Sequence, residues 1–124
     1  MPFSHASSFI IVNYHYVEDR RPDRAGIHPC PVSEFERQVR YLAQNYTITS
    51  VPKLFQAAQE ERSGRCAAIT FDDGLRDQLD YAVPILRDHG VGATFFFITG
   101  ALEGWVPLAH KIHLLSSQMS MAEI

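Results

Sequence analysis

The chain has 124 residues, a formal net charge of -3, 46% hydrophobic residues and 20% charged residues. This is the composition of an ordinary globular protein of one domain, with enough residues to bury a core. Its 11 Lys and Arg residues are scattered, which argues against a nucleic-acid-binding surface, and no apolar run approaches the ~20 residues of a membrane-spanning helix.

The first residues lack the pattern of a secretory signal peptide. The apolar run at residues 9–12 is short, and no Lys or Arg precedes it. On this ground the sequence predicts a cytoplasmic protein. Cys30 and Cys66 have neither the spacing of a zinc site nor that of a disulfide framework, so they are predicted to be reduced and structurally incidental.

The first part of the chain predicts a strand, a long loop and a helix. Residues 9–16 are rich in β-branched and aromatic side chains, which favour a strand. The polar segment 18–31 is a long loop for a compact domain. In the helix that follows, apolar residues recur at helical spacing, and Ser33 with Glu36 predicts a capping box.

A short strand and a second helix come next. Residues 46–50 predict the strand, while Ser50 and Pro52 predict the start of a helix that ends near Arg62. The apolar run that begins near Cys66 predicts the central strand of the domain.

The second half of the chain repeats the alternation. Residues 75–89 are helical in pattern, with a proline that predicts two short helices or a kink near Ala82, and Gly90 is placed as a C-terminal glycine. Residues 93–99 predict a buried apolar strand whose three phenylalanines pack in the core. Residues 107–118 predict a last helix.

Strands that alternate with helices predict a parallel sheet or barrel with right-handed crossovers. Four predicted strands do not close a barrel, and the parallel edge that they leave would be exposed. We therefore interpret residues 1–124 as a single α/β domain that forms the N-terminal portion of a larger (β/α) fold.

Two adjacent acids stand where the central strand ends. Asp72 and Asp73 follow a buried run and precede Gly74, which permits a tight turn. Burying a carboxylate is costly unless a cation or strong donors meet it, and ligands bind at the carboxyl ends of parallel strands. The pair predicts a metal site or an acid–base site. Alternatively, the two carboxylates cap the helix that follows.

These residues resemble the polysaccharide deacetylase (NodB-like carbohydrate esterase) family. The resemblance is carried by TFDDG at residues 70–74, by the end of the next helix at residues 83–90 and by ATFFF at residues 93–97. The segment 14–17 is also similar to the start of members that act on bacterial envelope polysaccharides.

The resemblance implies a distorted (β/α) barrel with parallel strands and flanking helices. It also implies metal-dependent hydrolysis of N-acetyl groups from a carbohydrate, such as an envelope or O-antigen type polysaccharide, with a divalent metal, often zinc, as cofactor. By the same resemblance Asp72 is the catalytic base and Asp73 is a metal ligand.

Part of the family's pattern has no match in the chain. Its second motif, H-[ST]-x-x-[HD], supplies two histidine ligands, and its later Arg-Pro and Leu-x-His segments complete the site; none of these occurs here. An alternative function is therefore a catalytically inert half that binds glycan or a partner chain. The open sheet also predicts self-association into a homo-oligomer.

Four further residues are candidates for the site. His110 and His113 lie three apart, roughly on one helical face, and could replace the missing ligands; alternatively they flank the apolar face of a surface helix. His15 could point toward Asp73, or be a satisfied residue at a strand end. Trp105 is a candidate carbohydrate-facing aromatic residue, or it is partly buried against the last helix.

Overall fold

The computed structural model describes residues 7–119, and within them four parallel strands form one sheet. The strands are β1 (Ser8–Tyr14), β2 (Thr47–Ile48), β3 (Arg65–Phe71) and β4 (Thr94–Phe95).

Helices connect these strands and follow the last of them. They are α1 (Val32–Asn45), α2 (Val51–Gln59), α3 (Val83–Asp88) and α4 (Leu108–Ser116), with 3₁₀ turns at Pro22–Arg24 and Thr99–Glu103 and a π-helical turn at Gln78–Ala82. The predicted α/β class, with parallel strands and flanking helices, is confirmed. The predicted break near Ala82 is confirmed as well, because the π-helical turn ends there and α3 begins. None of the helices in the described range is long and apolar enough to cross a membrane.

Strand β3 is the centre of the sheet. It pairs with β1 over seven residues, from Ser8 opposite Arg65 to Tyr14 opposite Phe71. Strand β2 pairs with the start of β3, and β4 pairs with its end. Since β1 occupies one edge of β3 along its whole length, β2 and β4 share the other edge. The carboxyl ends of β1, β3 and β4 therefore lie side by side.

Aromatic rings fix these strand ends to one another. Phe71 stacks on Phe95 with ring centroids 4.7 Å apart and on Tyr14 at 5.5 Å, while Phe35 of α1 meets the edge of Tyr14 at 4.9 Å. Such aromatic pairs contribute about 0.5–1.5 kcal/mol beyond the burial of their area. The rest of the core lies around them and comprises Val17, Val39, Leu42, Ala67, Ile69, Ala82 and Leu86. This core gives the residues that follow β1 and β3 a rigid base.

The predicted capping box of α1 is wrong. The helix begins at Val32 with Pro31 in the cap position and no side-chain cap bond, so Ser33 already lies inside the first turn. The N–H of Val32 instead donates to Oδ1 of Asp19, at 3.2 Å. A carboxylate from the preceding loop therefore satisfies this helix end.

The strand predicted at residues 93–99 is shorter than expected. Only Thr94–Phe95 pair with β3, and Phe96 and Phe97 are 52% and 65% exposed. The N–H of Phe96 still donates to the carbonyl of Phe71, at 2.8 Å, and the chain then leaves the sheet. The prediction of core packing therefore holds for Phe95 and is wrong for the next two rings.

Candidate functional site

The carboxyl end of β3 breaks into a tight turn that carries both acids. The N–H of Asp72 still donates to the carbonyl of Tyr14, at 3.0 Å, so this residue remains attached to β1. Asp73 has φ +76° and Gly74 has φ +65°, both in the left-handed region. Asp tolerates this region better than most residues with a side chain, and glycine adopts it without penalty. The turn thus presents two adjacent carboxylates to different surroundings.

Asp72 is held by a short series of polar contacts across the sheet. Thr70 Oγ1 donates to Asn13 Oδ1 at 3.1 Å, and Asn13 Nδ2 donates to Asp72 Oδ2 at 2.9 Å. The bond to Asp72 is charge-assisted and fixes the orientation of its carboxylate. The Asp72 side chain remains 37% exposed, so that water can reach it.

Asp73 is less exposed and faces two imidazoles. Its side chain is 21% exposed, and Oδ2 lies 3.3 Å from Nε2 of His110 and 4.0 Å from Nε2 of His15. The same His15 nitrogen lies 3.6 Å from Oδ2 of Asp72. His15 therefore faces both carboxylates. The oxygens of both acids meet side chains across the site, which favours a functional pair over the alternative of helix caps.

Helix α4 turns its histidines toward the protein. The His110 side chain is only 12% exposed, and the hydroxyl of Tyr16 contacts Nδ1 of His110 and, at 3.2 Å, Nδ1 of His113. The apolar residues of this helix are exposed instead: Leu108, Ile112, Leu114 and Leu115. Helix α4 is thus a surface helix, as the alternative for these histidines expects, but its apolar face is exposed, both histidines contact Tyr16, and His110 also faces Asp73.

One buried and one partly buried side chain tie the strand ends to the following helix. Gln78, which is buried, donates from Nε2 to the carbonyls of His15 and Asp72, at 2.8 and 2.7 Å. Asp77 Oδ2 accepts from the N–H of Val17 at 2.5 Å, and burial raises the pKa of this carboxyl. These contacts hold the ends of β1 and β3 together beneath the carboxylates.

Tyr16 lies in the same polar environment. Burial raises the pKa of its hydroxyl, and the nearby carboxylates of Asp73 and Asp77 raise it further. The hydroxyl is therefore neutral at ordinary pH and is available as both donor and acceptor.

Sequence reasoning did not assign roles to Asn13, Tyr16 or Gln78. One signal for Asn13 was present, since it is an amide in a strand that is otherwise apolar. Gln78 falls on the buried side of its helical pattern, where a polar side chain needs a hydrogen-bond partner. Tyr16 gave no signal of its own.

Trp105 is not brought to the carboxylates by any contact that the structure records. It is 71% exposed and packs against Gly100, where an added Cβ would lie 3.2 Å from Cε3 of the indole. The alternative of partial burial against α4 is not what the structure shows. The role of Trp105 in binding carbohydrate remains a prediction.

The described residues fit a metal only in part. One carboxylate with nearby imidazoles is a donor set that zinc favours. Within residues 7–119, however, no group of three or more His, Cys, Asp and Glu side chains is arranged to hold a metal ion. Asp73 therefore fits as one ligand, and the described part of the chain does not complete a metal centre.

Comparison with known proteins places the chain in a family. Residues 59–118 match the family model described as polysaccharide deacetylase. Over 92 residues, or 72% of its length, the chain is 36% identical to YxkH of Bacillus subtilis, which is named as a polysaccharide deacetylase. The chain belongs to the polysaccharide deacetylase family.

Solved structures with deacetylase names share the fold. The deacetylase PplD of Streptococcus pyogenes, solved in complex with acetate, matches with a TM-score of 0.67 and 22% identity over 86% of this chain. A de-N-acetylase of Aggregatibacter actinomycetemcomitans matches with a TM-score of 0.61 and 18% identity over 83% of this chain. The chain spans 31% of YxkH, 51% of the S. pyogenes structure and 43% of the A. actinomycetemcomitans structure.

Proposed function

We propose that this polysaccharide deacetylase sequence contributes the acidic half of a metal-dependent carbohydrate N-deacetylase site. The observation that carries the proposal is the pair Asp72 and Asp73 at the carboxyl end of β3, each with one partner of its own beside the shared His15. Asp72 is bonded to Asn13 and reachable by water, whereas Asp73 is partly buried and faces His110. The pair is thus suited to two different tasks.

Asp72 is proposed as the general base. In the reaction, water adds to the carbonyl carbon of an N-acetyl group while Asp72 accepts the proton of that water. The C–N bond then breaks, the amine takes up a proton, and acetate leaves. The bond from Asn13 keeps the Asp72 carboxylate in one orientation, and exposure of its side chain leaves room for the water.

Asp73 is proposed as one ligand of a divalent metal, with zinc as the first candidate, and the remaining ligands come from residues outside the described part of the chain. When bound, such a metal lowers the pKa of its water toward ~7 and polarises the carbonyl of the substrate. Support for an N-acetyl substrate comes from the relatives, since one solved structure is named a de-N-acetylase and another holds acetate. A bacterial envelope polysaccharide is the proposed substrate class.

Two variants of the full-length protein test these roles separately. Asp72→Asn should retain one divalent ion per chain but lose deacetylation of N-acetylglucosamine oligomers by about 10²–10⁴-fold. Asp73→Ala should lose both the ion, measured by inductively coupled plasma mass spectrometry, and the release of acetate. Asp88→Asn, at the exposed end of α3, is the matched control.

Two results would contradict the proposal. One is full-length protein that binds no divalent ion and releases no acetate when metal is supplied. The other is an Asp72→Asn variant that retains the rate of the wild-type protein.

The incomplete ligand set within residues 7–119 supports a second candidate function. In this alternative the domain is inert and binds glycan or a partner chain. Titration calorimetry with N-acetylglucosamine oligomers would then show binding in full-length protein that has no turnover with any divalent metal.

A further inference from the structure

Helix α4 is linked to the acidic pair through one side chain of the segment that follows β1. The Tyr16 hydroxyl lies between two imidazoles and contacts Nδ1 of His110 and Nδ1 of His113. The other ring nitrogen of His110, Nε2, lies 3.3 Å from Oδ2 of Asp73. Four side chains that are up to 97 residues apart in sequence therefore form one continuous series of polar contacts.

One order of protons satisfies every group along the series when both imidazoles are neutral. An ionised carboxylate only accepts, so a neutral His110 ring would hold its proton on Nε2, the nitrogen nearest Asp73. Its Nδ1 is then an acceptor and takes the O–H of Tyr16. The Tyr16 oxygen in turn accepts from Nδ1–H of His113. Each donor along the series thus meets an acceptor. In these surroundings an unpaired polar group would be costly.

The far end of the series is anchored to the long loop between β1 and α1. The carbonyl of His113 accepts from the hydroxyls of Ser116 and Ser117, and the N–H of Gly26 donates to Ser117 Oγ at 2.9 Å. A Cβ at Gly26 would lie 2.1 Å from Ser116 Oγ, so the loop and α4 are in close contact. The near end is fixed as well, since the N–H of Val17 is held by Asp77.

We propose that Tyr16 and His110 are positioning residues that orient the Asp73 carboxylate through this series of contacts. The structural basis of this role is that α4 turns its polar face inward, toward Tyr16 and Asp73. The consequence for metal binding rests on the proposed function, whereas the order of protons does not. Groups that orient a metal ligand typically change metal affinity or activity by 10–100-fold when they are removed.

The test uses full-length protein and three variants. Tyr16→Phe removes one hydroxyl and keeps the ring, His110→Ala removes the imidazole, and His110→Gln restores an N–H that can face Asp73. Zn²⁺ affinity measured by competition with a chelator should fall about 10–100-fold in the first two variants and recover in part in the third. Deacetylation should lose kcat, with KM unchanged within about two-fold.

Matched controls come from the same chain. Tyr41→Phe removes a hydroxyl from an exposed tyrosine of α1. His89→Gln changes another histidine that faces a carboxylate, since its Nε2 lies 3.4 Å from Glu36 Oε1 on a different surface. Both control variants should match wild type in metal affinity and in kcat. Thermal unfolding of each variant checks that the fold is retained.

Nuclear magnetic resonance of ¹⁵N-labelled, metal-free protein separates this proposal from the proposed function. His110 should carry its proton on Nε2 and His113 on Nδ1, and Tyr16→Phe should remove the preference of His113 while Asp73 maintains that of His110. These preferences are expected even if the wild-type protein proves unable to bind metal or to release acetate. The opposite proton positions, or Tyr16→Phe and His110→Ala variants with wild-type metal affinity, would overturn the proposal. A loss far above 10³-fold in His110→Ala without recovery in His110→Gln would make His110 a direct ligand and would overturn it too.

Discussion

Gly74 and Gly90 have the same backbone conformation in different surroundings, which makes them a matched pair. Each has φ +65°. An added Cβ at Gly90 meets nothing within 4 Å, whereas one at Gly74 would lie 2.3 Å from Cδ1 of Phe97. Gly90→Ala should lower the free energy of unfolding by about 1 kcal/mol, through the left-handed backbone alone. Gly74→Ala should cost more, because the Phe97 ring must also move; chemical denaturation measures both.

The double variant Gly74→Ala/Phe97→Ala isolates the steric part. Removing the ring should bring the cost of the alanine at position 74, measured against Phe97→Ala alone, down to that seen at position 90. Equal costs for the two single glycine variants would show that the Phe97 contact adds nothing.

Asp77 predicts a dependence of stability on pH. Burial raises the pKa of this carboxyl in the folded state, so the folded protein holds the proton more tightly than the unfolded chain does. The stability contributed by the protonated form is fully present below the unfolded pKa and is lost as pH rises through the folded pKa. Asp77→Asn keeps an oxygen that can accept from Val17 and carries no charge.

We therefore expect Asp77→Asn to have a higher free energy of unfolding than wild type at pH ~7. The difference should shrink as pH falls toward ~3, where wild-type Asp77 is protonated as well. Urea titrations at a series of pH values give the comparison, with exposed Asp88→Asn as the control. A gain that stays constant with pH would contradict this account.

At the scale of elements, the start of α1 allows two changes to be compared. Asp19 accepts from the N–H of Val32, while Ser33 makes no cap bond. Asp19→Ala should lower the free energy of unfolding by about 1 kcal/mol, the usual cost of losing an N-terminal cap. Ser33→Ala should change it by less than about 0.5 kcal/mol. Guanidinium denaturation followed by circular dichroism measures both free energies. A larger loss in Ser33→Ala than in Asp19→Ala would support the capping box instead.

The order and type of the elements could be predicted because they depend on local pattern. Apolar periodicity and the position of Gly90 depend only on neighbouring residues, and they predicted the alternation of strands and helices. The same pattern could not show which face of α4 is buried. That choice depends on Tyr16 and on Gly26, which are about 90 residues away along the chain. The cap of α1 by Asp19 was missed for the same reason, since it comes from 13 residues upstream.

Some residues of the candidate site could likewise be predicted from local pattern, and others could not. Asp72 and Asp73 could be found because two acids after a buried run are unusual wherever the chain goes afterwards. The residues that contact these acids could not be found from the sequence. Asn13 reaches Asp72 through the register of β1 against β3, and His110 reaches Asp73 through the packing of α4. Trp105 is predicted from its residue type and its place in the loop after the strand, and the structure records no contact between it and the acids.

At the scale of the whole molecule, the described residues expose many large apolar side chains. They include Phe96 and Phe97 after β4 and the outer face of α4. Exposed apolar surface favours association. The 124-residue chain alone should therefore form concentration-dependent oligomers, measured by light scattering coupled to gel filtration.

The double variant Ile112→Lys/Leu115→Glu should shift that equilibrium toward monomer, because both residues are exposed on α4. Lys111→Glu changes charge on the same helix without removing apolar area, and it should leave the equilibrium as in wild type. A strictly monomeric 124-residue chain at every concentration would contradict the prediction.

The π-helical turn at Gln78–Ala82 has a consequence for changes in chain length. A π-helical turn holds one more residue than the equivalent α-helical turn, so deleting a single residue after Gln78 would let the segment continue as ordinary α-helix. The residues on both sides of the turn would keep their angular positions, so Gln78 should still reach the carbonyls of His15 and Asp72. The same deletion inside α3, which is regular, would instead rotate the residues before it by about 100° relative to those after it. The π-helical turn is thus the place in this segment where the loss of one residue disturbs the strand ends least.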